Sequence, residues 1–232
     1  MKRFYKEAGV VAQEGGHGIA LDGRPVRTPA RAPLVLPHER LAQAVAQEWA
    51  DQGEKIDPAS MPFTGFANAA IDQIAPDPAA FAATVSAYGE SDMLCYRADS
   101  PAELAARQAD QWQPLLDWAS SRYDISFTVT SGIIPVTQPQ ATLDRLREVT
   151  AAQDPFLLAA LSPLVSLSGS LVIGLAILER AFDPAHLWQA AELDELWQAE
   201  QWGDDDEALA RRTRRHADFT RAVHFAELAR GR

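Results

Sequence analysis

The first third of the chain breaks its apolar positions into strand-sized runs. Val10–Val11, Ile19–Leu21, Val26 and Leu34–Leu36 are separated by Gly9, Gly15, Gly16, Gly18 and Gly23. The stretch Gly18 to Val26 (GIALDGRPV) sets an Asp-Gly pair between two apolar runs. That is the composition of a tight hairpin turn, whose central residues need positive φ. Pro25, Pro29, Pro33 and Pro37 suit edge strands or extended connections, because proline offers no N–H to a ladder. Residues 4–37 are read as a small antiparallel sheet.

The period then changes. Leu41, Val45, Trp49 and Gln52 fall on one helical face within residues 38–52, and Gly53 is a stop signal. Pro58 and Pro62 mark a second break, which places a domain boundary between residues 57 and 58. Beyond it the pattern is helical, with helices expected over 63–74, 78–89, 101–120, 140–151, 156–182, 185–201 and 205–229. Asp77-Pro78 and Ser100-Pro101 each put a capping residue before a proline, and Ser100 with Glu103 has capping-box spacing. Pro114 is expected to kink or split its helix. Ile125 to Val136 (ISFTVTSGIIPV) is β-branched and alternating, and is read as a hairpin or an extended arm. The fold class is α+β: a small antiparallel β-rich N-terminal domain with one helix (1–57), then a larger all-helical C-terminal domain (58–232).

Phe156 to Leu178 contains no charged residue and is long enough to cross a bilayer. Ser162, Ser166, Ser170 and Gly174 recur at every fourth position, a row of small side chains against which another helix could lie closely. Asp154 precedes the segment and Glu179-Arg180 follow it, without a basic cluster or an aromatic belt. The segment is therefore read as the buried centre of the helical domain, with Pro163 and Gly169 as the points where it could divide into two helices. Stable membrane insertion is not expected.

Charge narrows the class of partner. The 232 residues carry 21 Lys+Arg against 32 Asp+Glu, a formal net charge of −11. Nucleic acid and anionic lipid both demand a concentrated positive surface, so neither is an expected partner. The single cysteine, Cys95, rules out an intrachain disulfide framework and multi-cysteine metal motifs, and its apolar neighbours suggest a buried, inert thiol. The start, MKRFYKEAGV, has no apolar core of signal-peptide length and no Arg/Ser-rich transit segment, so a cytoplasmic location is expected.

Candidate chemistry is sparse. His17, His38, His186, His216 and His224 form no short metal-ligand motif, and no EF-hand spacing is present. Gly15-Gly16-His17-Gly18 lacks the lysine and the strand–loop–helix context of a phosphate loop. Ser168-Gly169-Ser170 does not match a nucleophile elbow. No catalytic residue, metal or cofactor is expected. The densest feature is acidic: Glu192, Asp194, Glu195, Glu200, Asp204, Asp205, Asp206 and Glu207, interleaved with Trp188, Trp197 and Trp202 and followed by Arg211, Arg212, Arg214 and Arg215. By itself this reads as a solvated helix pair with a Glu207–Arg211 ion pair. The sharper reading is a recognition surface, with acids orienting a partner and tryptophans supplying contact area.

Several stretches resemble a known family. They are Arg3-Phe4-Tyr5-Lys6, Leu21-Asp22-Gly23-Arg24-Pro25-Val26-Arg27-Thr28-Pro29, Glu48-Trp49 and Asp92-Met93-Leu94-Cys95-Tyr96-Arg97. Further on come Gly132-Ile133-Ile134-Pro135-Val136, Ser170 to Ala176 (SLVIGLA), Leu193-Asp194-Glu195-Leu196-Trp197-Gln198 and Trp202-Gly203. In this order the chain resembles the assembly chaperones of the F-type ATP synthase catalytic sector that act on the alpha subunit, in its alphaproteobacterial form.

The resemblance implies a non-enzymatic chaperone that shields the unassembled alpha subunit, and it turns the acidic segment from a solvated pair into a recognition surface. Partner-binding candidates are Asp194, Glu195, Trp197, Glu200 and Trp202, with Arg24 and Arg27 at the family's Asp-Gly-Arg-Pro turn. Leu196 stands where the family often has a third acid. Trp49 is assigned to the core by its helical stripe. A monomer is the expected form. The alternative from another class is a small hydrolase or transferase using the carboxylate cluster, which requires a deep polar pocket holding two carboxylates of strongly perturbed pKa.

Overall fold

The computed structural model describes residues 1–132, 134–203 and 205–231. It comprises two compact units. One is Met1–Pro78 with Asp154–Ala160 and His224–Arg232; the other is Ala79–Gln153 with Leu161–Val223.

The first unit holds the antiparallel sheet. β1 (Ala8–Gln13) and β2 (Gly16–Leu21) form a hairpin in the register Gln13↔Gly16 to Ala8↔Leu21. On its other side β2 pairs with β3 (Arg24–Pro25) and with β4 (Val35–Leu36). The expected Asp-Gly turn is present, with φ of 48° at Asp22 and 76° at Gly23. The Asp22 carboxylate also accepts the N–H groups of Lys6 and Glu7 at 3.0 and 2.9 Å, which hold its pKa below the ordinary value. α1 (Glu39–Ala50) lays Leu41, Ala42, Val45 and Ala46 against the sheet.

α2 (Pro62–Ala69) starts where Glu48 ends its orphan donors. The Glu48 carboxylate accepts the N–H groups of Phe63 and Thr64, both at 2.7 Å. Half-burial nonetheless raises the Glu48 pKa, against the pull of those bonds. α2 runs into a wider turn, Ala70–Ile74, closed by the Ala75 N–H on the Ala70 carbonyl at 2.8 Å, which completes the expected helix over 63–74.

Among the described residues of the second unit, the regular structure is helical apart from a short parallel pairing of β5 (Tyr96–Arg97) with β6 (Thr130–Ser131). The stretch 125–136 is thus an extended arm with a pairing partner elsewhere in the chain, not a hairpin; Ile133 lies outside the described residues. Its helices are α3 (Pro78–Ser86), which begins at the boundary between the units, then α4 (Ala102–Tyr123), α5 (Gln140–Ala151), α6 (Pro155–Ser168) and α7 (Leu171–Glu179). α8 (Pro184–Ala191), α9 (Leu193–Trp202) and α10 (Asp206–Ala229) follow, the first turn of α6 and the last of α10 belonging to the first unit.

One local expectation is corrected and another is narrowed. Ser100 makes no capping bond: α4 opens at Ala102 with Pro101 as its cap residue. Pro114 does not split α4. Pro114 and Asp110, whose carbonyl it leaves without an N–H, are both exposed, so water can take the place of the lost donor.

The apolar segment is two helices, and the break falls at Gly169, φ +68°, rather than at Pro163. Every residue from Leu171 to Leu178 is buried, and α4 and α8 pack against α7. Among the described residues no helix is long and apolar enough to cross a membrane. The row of small residues does not act as one face, since Ser166 is exposed and Ser170 caps α7 through the Ile173 N–H at 3.1 Å. Gly174 alone has the predicted purpose. A Cβ there would lie 2.7 Å from both Leu161 Cδ1 and Val165 Cγ2, so its hydrogen is what lets α6 and α7 touch.

Cys95 is buried. Desolvation, with the nearby Asp92 charge adding and Arg97 opposing, pushes its thiol up to about 12. The native protein is therefore expected to leave a disulfide exchange reagent unreacted at pH 8, and to consume about one equivalent once unfolded. Rapid reaction of the folded protein would contradict that environment.

Candidate functional site

The acidic, tryptophan-bearing segment folds as an antiparallel helix pair, α9 and the first half of α10. Its elements come from local signals. Asp183 caps α8 by accepting the Ala185 N–H at 2.7 Å, and the chain leaves helical geometry at Glu192, so the expected helix over 185–201 is two helices. Gly203, φ +82°, follows α9, and its N–H closes on the Ala199 carbonyl at 2.8 Å. Asp205 accepts the Ala208 N–H at 2.6 Å and so serves the start of α10. Asp204 lies outside the described residues.

The structure sorts the acids of this segment by depth. Glu192 is 1% exposed, with Arg215 Nη1 2.8 Å from its Oε1. Its oxygens receive no aligned hydrogen bond among the described residues, so this is a charge contact rather than a bonded pair. Burial raises its pKa, and Arg215 opposes the shift. Trp188 belongs to the core as well: it packs on His216 and Phe219, with ring centroids 5.2 and 5.0 Å away. The Trp112 indole N–H donates to the Ala190 carbonyl at 2.8 Å and ties α8 to α4.

Asp194 is half-buried and wired inward. Its Oδ1 accepts from Gln108 Nε2 at 2.7 Å, while the Gln108 Oε1 takes the Ala98 N–H at 2.6 Å. Glu195 faces outward, its nearest cation being Arg211 of α10 at 3.9 Å. The Glu207–Arg211 pair expected from helical spacing is not made; Arg211 turns across the helix pair instead. Glu200 and Trp197 share one partner: Arg107 of α4 lies 2.8 Å from the Glu200 carboxylate and 4.8 Å above the Trp197 ring. That bond holds the Glu200 pKa below the usual carboxylate range. Trp202 is 79% exposed at the end of α9, and Leu209 is 51% exposed in the opening turns of α10.

Of the predicted contact residues, α9 thus gathers Asp194, Glu195, Trp197, Glu200 and Trp202, but only Glu195 and Trp202 are both exposed and unengaged by a short bond. Arg24 and Arg27 lie in the first unit, on the wall of a cleft at the β2–β3 turn. Arg27 Nη1 donates to the Arg31 carbonyl at 2.8 Å, which closes its own loop. The sequence does not single out Leu209, which stands between Ala208 and Ala210 and is exposed in the structure. The groove between α4, α8 and α9 has a volume of about 150 Å³ and is lined by Arg107, Gln111, Gln189, Leu193, Leu196 and Glu200. It carries one carboxylate, already paired, and is smaller than the usual small-molecule site of roughly 300–1,000 Å³.

The molecule leaves a large indole in water on α9, a side-chain type enriched at protein–protein interfaces. Its class is that of an assembly chaperone. The family model of the ATP12 chaperone protein matches residues 2–120, and the chain belongs to that family, whose role is in ATP synthase assembly. The crystal structure of Atp12 from Paracoccus denitrificans superposes with a TM-score of 0.93 at 43% identity, covering 98% of each chain. A lysine-for-aspartate variant of the same Paracoccus protein gives the same TM-score and identity over 98% of this chain and 97% of its own. The mitochondrial protein atp12 of Schizosaccharomyces pombe is 25% identical over 220 residues, 89% of this chain and 75% of its own length.

Proposed function

We propose that this chain binds the unassembled alpha subunit of the ATP synthase catalytic sector and covers the surface that later meets beta subunits, using the exposed side of α9 and α10. The observation that carries the reading is Trp202, a large indole left in water on the same helix as the outward-facing Glu195 carboxylate. Exposing such a ring costs apolar hydration that a partner's surface would recover. An alpha subunit made alone presents apolar area meant for its neighbours and is prone to wrong association. A temporary cover gains specificity from charge and contact area from indole. The role requires no bond-making by the chaperone itself and suits a monomer in the bacterial cytoplasm.

The two acids of the Asp194-Glu195 step have separate duties in this role. Glu195 is the contact, and Asp194 positions α9 on α4 through Gln108. Glu195→Lys is therefore expected to abolish co-purification of the alpha subunit while leaving the far-UV spectrum and melting temperature unchanged. Asp194→Lys is expected to lose binding and also about 1–3 kcal/mol of stability, because it leaves the Gln108 amide without its acceptor. Trp202→Ala should weaken capture at least about tenfold. Equal recovery of alpha and beta subunits by the wild-type chain, or of neither, would remove the proposal.

A further inference from the structure

The first unit contains a cleft that the α9–α10 surface does not involve. It has a volume of about 540 Å³, within the range of binding sites, and it opens beside the β2–β3 turn. One wall is aromatic: Phe4, Tyr5 and Trp49 stand edge to face, with centroids 5.3 Å apart for the first pair and 5.9 Å for the second. Beneath them Tyr5 and Leu21 belong to a buried cluster with Ile56 and Met61, onto which Val26 and Trp49 pack. The wall is therefore firm. Its mouth is not satisfied, since Phe4 is 65% exposed.

The lining is also cationic. Arg24 and Arg27 line the cleft of a chain whose net charge is −11. The Arg24 side chain is exposed and makes no hydrogen bond or short ion pair among the described residues, although its charge helps to lower the pKa of the nearby Asp22. The one carboxylate in the lining, Asp22, is taken up by the Lys6 and Glu7 N–H groups. On the aromatic wall the Trp49 indole N–H has no acceptor among the described residues, although the Trp49 carbonyl is held by the Tyr5 hydroxyl at 2.7 Å. A cleft that holds both aromatic rings and an exposed guanidinium fits an apolar side chain next to a carboxylate. The guanidinium offers the carboxylate a planar fork of donors.

We infer that this cleft is a second docking point, which takes an extended segment of the client protein presenting an aliphatic or aromatic side chain adjacent to an aspartate or glutamate. The inference rests on the proposed chaperone role for the identity of the client, but the cleft is separable from α9. Two anchors on one client raise the effective concentration of each for the other, so a weak peptide site can strengthen the whole grip.

The test probes the full-length chain against immobilised peptides, about 15 residues each, that tile the alpha and beta subunits of ATP synthase; that length spans the cleft in extended form. The expected result is retention on peptides that pair an apolar residue with an acid. Arg24→Glu should lower that retention at least tenfold. Phe4→Ser should lower it in the same way as Arg24→Glu, and neither variant should alter the circular dichroism. Retention of no peptide, retention of basic peptides, or signals indifferent to both Arg24→Glu and Phe4→Ser would overturn the inference. The chaperone reading fails separately, by loss of whole-subunit capture from the wild-type chain.

Discussion

Asp92→Ala is expected to cost about 3–5 kcal/mol of folding stability, far more than truncating an exposed side chain of α9. Asp92 has no solvent exposure. Its Oδ2 accepts the Ser170 hydroxyl and the Val172 N–H, both at 3.0 Å, and its Oδ1 accepts the Leu94 N–H at 3.1 Å. One carboxylate thus satisfies the start of the short turn Met93–Cys95 and the start of α7, the helix at the centre of the second unit. Alanine would leave three donors in a place water does not reach. Asp92→Asn keeps an acceptor and is expected to lose less, about 1–3 kcal/mol. Urea midpoints for the three proteins measure the order; an alanine variant as stable as the wild type would show that water replaces the carboxylate.

The same group makes stability depend on pH. Burial pushes the Asp92 pKa up from 3.8 to about 6, against the donors that pull it down. Between those values the native state holds a proton that the unfolded state has released. The contribution is therefore fully present below pH 3.8 and is lost as pH rises through 6. Taken as the wild type minus Asp92→Asn, stability should be greater at pH 5 than at pH 7 by about 1 kcal/mol. A difference of the opposite sign would mean that the donors outweigh burial.

Gly174→Leu is the second large effect, expected to destabilise by about 3 kcal/mol or more. Leu161 and Val165, the side chains a Cβ would strike, are fully buried, so neither has solvent to turn into. Gly174→Ala meets the same two methyl groups but gains about 1 kcal/mol of helix propensity, so its net loss should be about 1–2 kcal/mol. Thermal melts of both variants check the order. A stabilised alanine variant would show that α6 and α7 part without penalty.

The residues differ in how far their roles could be read from their neighbours in the chain. The Asp22-Gly23 turn, the α1 stripe of Leu41 and Val45, and the apolar run that became α6 and α7 were legible because each depends on periodicity or backbone preference within a few positions. Glu48, Asp92 and Asp194 were not legible in the same way. Each carboxylate serves donors 15 to 86 residues away. The Ser100–Glu103 spacing misled for the converse reason: a local cap needs a particular backbone at the cap residue, and Pro101 took that place.

What the sequence determined by itself was the order of elements, the burial of Leu171–Leu178, and the concentration of acid and indole in one late segment. These follow from side-chain chemistry repeated at helical or strand period. Only the tertiary structure decided which acids stay in water. Glu192 was taken into the core beside Arg215, Asp194 was held by Gln108, Glu200 by Arg107, and Glu195 was left facing outward with Trp202. Spacing along a helix gives a residue's angle about the axis, but its exposure depends on what other parts of the chain bring to that side.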